Sequence, residues 1–174
     1  MTGSSLQAAQ ARYREAAFAA RRKAALNLQA TLGVTFNLGE WSGRVAEAIQ
    51  RQWATADRHP DGGFDWPEWF RRNKRNPDVF SVAIWIDQRL AGVALVETGS
   101  DYVTVKCVEG DPRPDCPLRG RRALIVMEAA ACYAQALGKR SIRVSPVNDD
   151  LKKLYVEGYG FSEPRGLGYL VREI

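Results

Sequence analysis

The chain has 174 residues, of which 45% are hydrophobic and 26% are charged, and its formal net charge at pH 7 is +5. These values suit one soluble globular domain and exclude a disordered or low-complexity chain. No apolar run reaches the ~18 residues that a membrane span requires. Arg12, Arg14 and Glu15 interrupt the first apolar positions, so no secretory signal is predicted. The positive charge favours anionic partners such as nucleotide phosphates, nucleic acid or acidic surfaces.

The cysteine and histidine content excludes several kinds of site. Cys107, Cys116 and Cys132 contain no C-x-x-C pair, which predicts reduced thiols in a cytoplasmic protein rather than a zinc site or a disulfide framework. His59 is the only histidine, which excludes most histidine-based metal sites. A Ser-His or Cys-His nucleophile would depend on this one residue, so it is disfavoured. No metal is expected.

The first part of the chain has a helical period. Apolar residues recur at three- and four-residue steps over residues 5–32, which predicts a helix on the order of 40 Å long that ends at Gly33. A second helix is predicted over 41–57, and a third begins after the loop 59–63, with Pro67 in its first turn. The long basic helix is expected to dock or to bind a partner. An organellar transit peptide is the less favoured alternative.

From Val79 the apolar period changes to two, which predicts an antiparallel meander of three strands. A helix, a strand, a second helix and a final strand follow. The predicted fold class is α/β (α+β), with one mixed sheet and the order N-terminal helices, then β-β-β-α-β-α-β. One domain is expected over residues 1–174, with a helical extension, 1–60, that packs on or projects from a core, 61–174. The predicted bounds are 79–86, 90–98, 102–109, 121–137, 140–145, 149–159 and a strand that contains Tyr169, Leu170 and Val171.

The loop after the meander leads directly into a helix through Arg119-Gly-Arg-Arg-Ala123. A helix start presents unpaired N–H groups and a partial positive charge, and glycine allows close approach of a ligand to the backbone. Arginines add charge-assisted hydrogen bonds to phosphate oxygens. The segment therefore predicts a pyrophosphate cradle, and a solvated basic helix start is the alternative.

The stretch Asn148–Phe161 resembles the N-x-x-A-x-x-L-Y-x-x-x-G-F signature of the GNAT superfamily of N-acetyltransferases. The residues that match are Asn148, Leu154, Tyr155, Gly160 and Phe161, and Leu151 stands where the family often has alanine. The resemblance covers residues 79–163 and implies direct transfer of an acetyl group from acetyl-CoA to a primary amine. The family's phosphate loop, R/Q-x-x-G-x-G/A, is matched only at Arg119, and a register on Gly120 is the alternative.

The resemblance also implies roles for individual residues. Tyr155 matches the general acid, since a tyrosine is protonated at neutral pH and can donate to a departing thiolate. Asn148 matches a position that contacts the cosubstrate, and it also suits the N-cap of a helix that begins at Asp149. The residues expected to contact acetyl-CoA are Val108, Arg119, Gly120, Arg121, Arg122, Ala123 and Asn148.

A general base would help, because an alkyl amine is mostly protonated at pH 7. Glu109 is the candidate, since a period of two places it on one strand face with Val103, Val105 and Cys107. Burial of that face would raise the pKa of Glu109, as a base requires. A bulge in the strand would reverse its facing. Glu97 is the alternative base.

Two other functions stay open on the residues alone. A toxin-like acetyltransferase of aminoacyl-tRNA is suggested by the basic run 71–75 and the arginines of the first helix. Nucleic-acid binding is disfavoured, because no stacking aromatics alternate with the basic residues of that helix. A non-catalytic adaptor that binds a partner through the first helix is suggested by the atypical loop 119–124. The acceptor amine is not indicated, and a homodimer is left open.

Overall fold

The computed structural model describes residues 2–174. Within them, six strands form one sheet whose spatial order equals the chain order. Neighbouring strands are antiparallel except for the fourth and fifth, which are parallel. The strands are β1 (Asn37–Gly39), β2 (Phe80–Ile86), β3 (Arg89–Thr98), β4 (Tyr102–Gly110), β5 (Ser141–Val144) and β6 (Leu170–Glu173). The mixed sheet and the β2–β4 meander confirm the predicted fold class.

Five α-helices surround the sheet in the described part of the chain. They are α1 (Thr2–Leu32), α2 (Gly43–Gln52), α3 (Trp66–Asn73), α4 (Arg122–Ala136) and α5 (Asp149–Lys153). A 3-10 turn extends α2, and a π turn extends α5. Gly33 and Gly138 follow α1 and α4 with φ angles of 65° and 71°, the left-handed conformation that ends helices. None of the helices within residues 2–174 is both long and apolar enough to span a bilayer.

Strand β1 is absent from the sequence prediction. It has three residues, too few to show a period, and it exists only because it pairs with Ala83, Ile84 and Trp85 of β2. Its recognition therefore needs the position of β2, which lies more than 40 residues further along the chain.

Both faces of the sheet are covered. Along β2, Phe80, Val82 and Ile84 contact the helices α1 and α4, whereas Ala83 and Trp85 contact the α2–α3 side. Because both sets are buried, the strand is apolar on both faces. The predicted alternation of facing along this strand is confirmed.

Helix α1 docks on α4 through a stripe of small residues. Ala16, Ala20 and Ala24 are buried at this contact. Arg12 Nη2 donates to the carbonyl of Leu137 at 3.2 Å, and Arg121 Nη1 donates to the carbonyl of Leu32 at 2.9 Å. Each helix therefore supplies an arginine to the free C-terminal carbonyls of the other, where positive charge is favourable.

The apolar stripe of α1 is exposed at its first residue. Leu6 is 56% exposed. The reason is length: α1 has 31 residues and α4 has 15. Arg12 already lies at the C-terminal end of α4, so the residues before it extend past that helix.

Substitution of Ala24 by leucine tests the docked helix. The side chain of Ala24 is completely buried, so Ala24→Leu forces extra volume into a packed contact and should destabilise the fold by about 1–3 kcal/mol. Ala19 lies on the exposed face of the same helix, so Ala19→Leu should stay within about 0.5 kcal/mol of the parent. Urea unfolding measures both. Equal effects would contradict the docked arrangement.

Candidate functional site

The sheet opens between β4 and β5. These strands pair only from Tyr102 to Val105 on β4, against Ser141 to Val144 on β5. Strand β4 continues to Gly110 along β3, without β5 beside it. Its backbone groups beyond Val105 are therefore free of a strand partner on the β5 side, and they are available to a ligand.

A cleft of about 790 Å³ lies at this opening. Four segments line it: the loop after α2, the end of β4, the start of α4 and the start of α5. Their lining residues are 57–62, 108–112, Arg119, Arg122, Val147, Asn148, Asp150, Leu151 and Leu154. A recess of about 50 Å³ lies beside the cleft, and Asp61, Val108 and Leu151 border both spaces. Tyr155 lines the recess.

A bulge in β4 sets which side chains face which way. Leu95 pairs with Cys107 and Val96 pairs with Val105, so Lys106 is an extra residue in β4. Val103 and Val105 contact the α1–α4 side, whereas Cys107 contacts the α2–α3 side. The predicted common face of Glu109 with Val103 and Val105 is wrong, because the extra residue reverses the alternation.

Glu109 is buried, with an exposed fraction of 4%, and its carboxylate is saturated with donors. Arg58 donates through Nε to Oε2 at 2.7 Å and through Nη2 to Oε1. The N–H of Gly63 and Nε1 of Trp66 each donate at 2.7 Å. These bonds attach the loop 58–66 to β4. A Cβ at Gly62 would lie 2.8 Å from Oε2, so only glycine fits against the carboxylate.

The predicted rise in the pKa of Glu109 is wrong. Burial alone raises its pKa, but the hydrogen bonds from Arg58, Gly63 and Trp66 and the charge of Arg58 outweigh burial and lower it. The carboxylate is therefore ionised at neutral pH and a weak base. Glu97, the alternative base, pairs with Lys106 at 3.8 Å and does not line the cleft.

The loop between β4 and α4 is held by Asp111, which is 2% exposed. Its carboxylate accepts from Arg89 Nε at 2.8 Å and from Arg113 Nε at 2.9 Å. Burial raises the pKa of Asp111, but the two arginines lower the pKa by more than burial raises it. The carboxyl group therefore stays ionised. Arg122 packs across Gly110 and donates to the carbonyl of Asp111 at 2.7 Å. The start of α4 is thereby attached to the end of β4.

The arginines predicted to bind acetyl-CoA at the start of α4 have different surroundings. Arg119 lines the cleft and makes no ion pair within residues 2–174. Gly120 has a φ of 79°, so the tight turn that requires glycine falls at this residue. Arg121 is the N-cap without a side-chain cap, and its guanidinium binds Leu32 of α1. The backbone N–H groups of the first turn, including that of Ala123, have no partner inside the helix.

Asn148 caps α5, as predicted. Its Oδ1 accepts from the N–H of Leu151 at 2.8 Å, and its Nδ2 donates to Asp61 Oδ2 at 2.9 Å. The residue therefore starts the helix that carries Tyr155 and also attaches the loop after α2. It lines the cleft, as Val108 does.

The match to the signature holds only with one inserted residue. Four residues separate Tyr155 from Gly160, whereas the signature has three between the tyrosine and the glycine. A π turn over Leu154–Gly158 absorbs the extra residue. Gly160 then takes a φ of 75°, and Phe161 returns to pack 5.7 Å from the Tyr155 ring. The inserted residue is thus accommodated between Tyr155 and Gly160.

Tyr155 is 3% exposed, and burial, with a smaller contribution from Tyr159, raises its pKa to about 12. No hydrogen bond of its hydroxyl is found within residues 2–174, so the group is a protonated donor available to the recess. Sequence reasoning missed the roles of Arg58 and Asp61, two loop residues that line the cleft. Their partners, Glu109 on β4 and Asn148 at the start of α5, lie far along the chain, so no local pattern predicts these contacts.

No family model and no curated protein sequence matches the chain. Solved structures match over most of its length. The GNAT domain of PAT from S. lividans aligns with a TM-score of 0.60 at 15% identity, over 82% of this chain and 92% of that one. The paia N-acetyltransferase of Thermoplasma acidophilum, in complex with coenzyme A, aligns with a TM-score of 0.54 at 13% identity, over 81% and 100%. A GNAT family acetyltransferase of Brucella melitensis, in complex with acetyl-CoA, aligns with a TM-score of 0.55 at 14% identity, over 80% and 88%.

The chain therefore has the fold of the GNAT acetyltransferases. The neighbours agree with it in the mixed sheet and in the helices that cover it. At these identities the likeness defines the fold alone.

Proposed function

We propose that the chain is an acetyl-CoA-dependent N-acetyltransferase that acts on a primary amine. The observation that carries the proposal is the opening between β4 and β5, which joins a large cleft to the recess of Tyr155. The neighbours in complex with coenzyme A or acetyl-CoA support the choice of cosubstrate.

The residues present suit acetyl-CoA in three places. Arg119, Arg122 and the first turn of α4 offer positive charge and N–H groups to the pyrophosphate. The unpaired backbone of β4 near Val108 offers hydrogen bonds to an extended amide-containing arm. The recess offers the thioester a buried end beside Tyr155.

In the proposed reaction the amine attacks the thioester carbonyl, and the carbon–sulfur bond breaks. Tyr155, with its pKa of about 12, is a weaker acid than a thiol of pKa ~8.5, so complete proton transfer to a free thiolate is uphill by roughly 5 kcal/mol. Tyr155 therefore acts chiefly as a hydrogen-bond donor to the sulfur while negative charge develops there.

Two neighbouring arginines provide a matched test of the cofactor cradle. Arg119→Ala removes a charge that lines the cleft, and should weaken acetyl-CoA binding about 10-fold, the effect of one charge-assisted hydrogen bond. Arg121→Ala removes a charge whose side chain binds Leu32, so it should leave the Kd within about twofold of the parent, an energy well below 1 kcal/mol. Isothermal titration calorimetry measures both. Equal losses would place the pyrophosphate elsewhere.

The two alternative functions receive less support from the contacts. Arg71 and Arg72 of the basic run both bind Glu68, at 2.6 and 2.9 Å, so part of the charge proposed for RNA is already neutralised. The small-residue stripe of α1 is occupied by α4, so it is not free for an adaptor's partner. Acetyl-CoA should raise the melting temperature, and its failure to do so would favour the adaptor. Salt-sensitive binding of tRNA would favour the RNA-directed enzyme.

A further inference from the structure

We propose that Phe64 limits the transferred group to a short acyl chain, and that Glu109 positions Phe64 for this role. The proposal rests on the proposed function and names the acyl class that the same site takes. It begins from the recess, because the acyl group must lie there to reach Tyr155. The acyl group enters between four residues that border both the recess and the cleft: Asp61, Val108, Val147 and Leu151.

The recess has room for only a small group. Its volume is about 50 Å³, whereas the cleft beside it has about 790 Å³. One water-sized group needs between about 15 and 30 Å³, so the recess holds about two or three such groups. The methyl and carbonyl groups of an acetyl chain fill this space, and the further methylenes of a butyryl chain exceed it. The volume therefore favours acetyl-CoA over acyl-CoA molecules with longer chains.

Phe64 supplies the part of the recess that the strands do not. Strand β4, the end of β5 with the loop after it, and α5 with its π turn supply most of the lining, namely residues 105–108, 144–147, Leu151 and Tyr155. Within residues 2–174, the other lining residues are Asp61 and Phe64, from the loop after α2. Phe64 lines the recess but not the cleft, and its ring is half-buried. The size and position of this ring therefore set the room that is left for an acyl chain.

The Glu109 carboxylate fixes the residues on either side of Phe64. The N–H of Gly63 donates to Oε2 and Nε1 of Trp66 donates to Oε1, each at 2.7 Å. Arg58 donates through Nε to Oε2 at 2.7 Å and through Nη2 to the carbonyl of Phe64 at 3.0 Å. The hydrogen bonds of this one carboxylate therefore hold the loop at Phe64 to the end of β4.

The ring of Phe64 is also held, because it packs against Trp66. The two ring centroids lie 5.4 Å apart with 68° between the ring planes, the edge-to-face arrangement that aromatic pairs prefer. Trp66 is completely buried and its indole N–H is bound to Glu109, so its own position is fixed. Room for a longer chain would require that Phe64 move, at the cost of these contacts.

Isothermal titration calorimetry with coenzyme A, acetyl-CoA and butyryl-CoA tests the proposal without an acceptor amine. The parent should bind butyryl-CoA about 10-fold more weakly than acetyl-CoA, the effect of extra methylenes in a small apolar pocket. In Phe64→Ala the two Kd values should agree within about twofold, because the lost ring leaves room for the longer chain. The Kd of coenzyme A, which carries no acyl group, should change little.

Phe70→Ala is the matched control. The ring of Phe70 is half-buried like that of Phe64 and also stacks on Trp66, with the centroids 6.3 Å apart, but it does not line the recess. Phe70→Ala should therefore keep the parent's preference for acetyl-CoA. Phe64→Leu, which retains a branched apolar side chain in the loop, should give an intermediate preference, and it decides the question if Phe64→Ala does not fold.

Glu109→Gln tests the positioning role. The amide keeps the size of the side chain but has one oxygen in place of two and no charge, so part of the attachment of the loop is lost. The preference for acetyl-CoA over butyryl-CoA should fall to a value between those of the parent and Phe64→Ala. If Glu109→Gln weakens the binding of all three ligands by the same factor, its role is a general structural one and the positioning role is refuted.

Failure of this inference is distinguishable from failure of the proposed function. If coenzyme A and acetyl-CoA bind the parent, then equal binding of butyryl-CoA to the parent, or an unchanged preference in Phe64→Ala, overturns the role of Phe64. If neither coenzyme A nor acetyl-CoA binds the parent, the proposed function fails, and the role of Phe64 fails with it.

Discussion

Tyr155→Phe should lower kcat about 100-fold while the affinity for acetyl-CoA is retained. The ring stays in place, since it is 3% exposed and packs against Tyr159 and Phe161. Only the hydroxyl is lost, and a positioned acid or donor contributes typically 10²–10⁴ to rate. Because no protein partner of the hydroxyl is found in residues 2–174, stability should be nearly unchanged. Pre-steady-state release of coenzyme A measures the chemical step.

Tyr159→Phe is the matched control. Tyr159 lies one turn further along, half-buried, with its ring 5.9 Å from that of Tyr155. Tyr159→Phe removes a hydroxyl group that lies outside the recess and that accepts a hydrogen bond from the backbone N–H of Leu124. Its kcat should stay close to that of the parent. An equal fall in both variants would show a packing effect, and full activity in Tyr155→Phe would refute the role of the donor.

Arg58→Met should destabilise the fold by about 3 kcal/mol at pH 7. The substitution leaves the Glu109 carboxylate, with 3% of its side chain exposed, without its charged partner, and removal of one member of a buried pair typically costs about 3–5 kcal/mol. The lower end applies, because Gly63 and Trp66 still donate to the carboxylate and Arg58 is 30% exposed. Chemical denaturation measures the loss.

This loss should depend on pH in a defined direction. The pKa of Glu109 is lowered in the folded protein, so its contribution is present above the unfolded carboxyl pKa of ~4.3 and is lost as the pH falls through the lower folded value. The difference between parent and Arg58→Met should therefore shrink on acidification below pH ~4.3. A difference that is constant from pH 7 to pH 3 would show that Arg58 acts by packing alone.

An exposed ion pair supplies the control. Arg51 binds Glu47 at 2.9 Å with 78% and 56% of the side chains exposed. Arg51→Met should cost less than about 0.5 kcal/mol, since water screens such pairs. In the double variant Arg58→Met with Glu109→Leu, no charge is left unpaired, so part of the stability lost in Arg58→Met should return.

The sequence by itself was enough for the features that depend on neighbours in the chain. The period of two predicted the meander, glycines after apolar runs predicted the helix ends, and Asn148 was recognised as a cap. These features are readable because a strand's alternation, a helix's period and a cap's side-chain bond all act within a few residues. The same reasoning predicted that Tyr155 lies on a helical segment, as it does.

The tertiary structure decided what depends on the partner of each strand and side chain. The bulge at Lys106 arises from pairing with β3, and it turned Glu109 away from the face that alternation predicts. In the folded protein the Glu109 carboxylate binds Arg58 and Trp66, which lie 51 and 43 residues earlier in the chain. The lowered pKa of Glu109 and the position of His59 at the cleft therefore follow from tertiary packing. The regular alternation of apolar residues in the sequence predicts neither a bulge nor the charge of a residue far along the chain. The sequence thus predicted the fold and the candidate acid, and the contacts made in the folded state decided that Glu109 holds the loop 58–66.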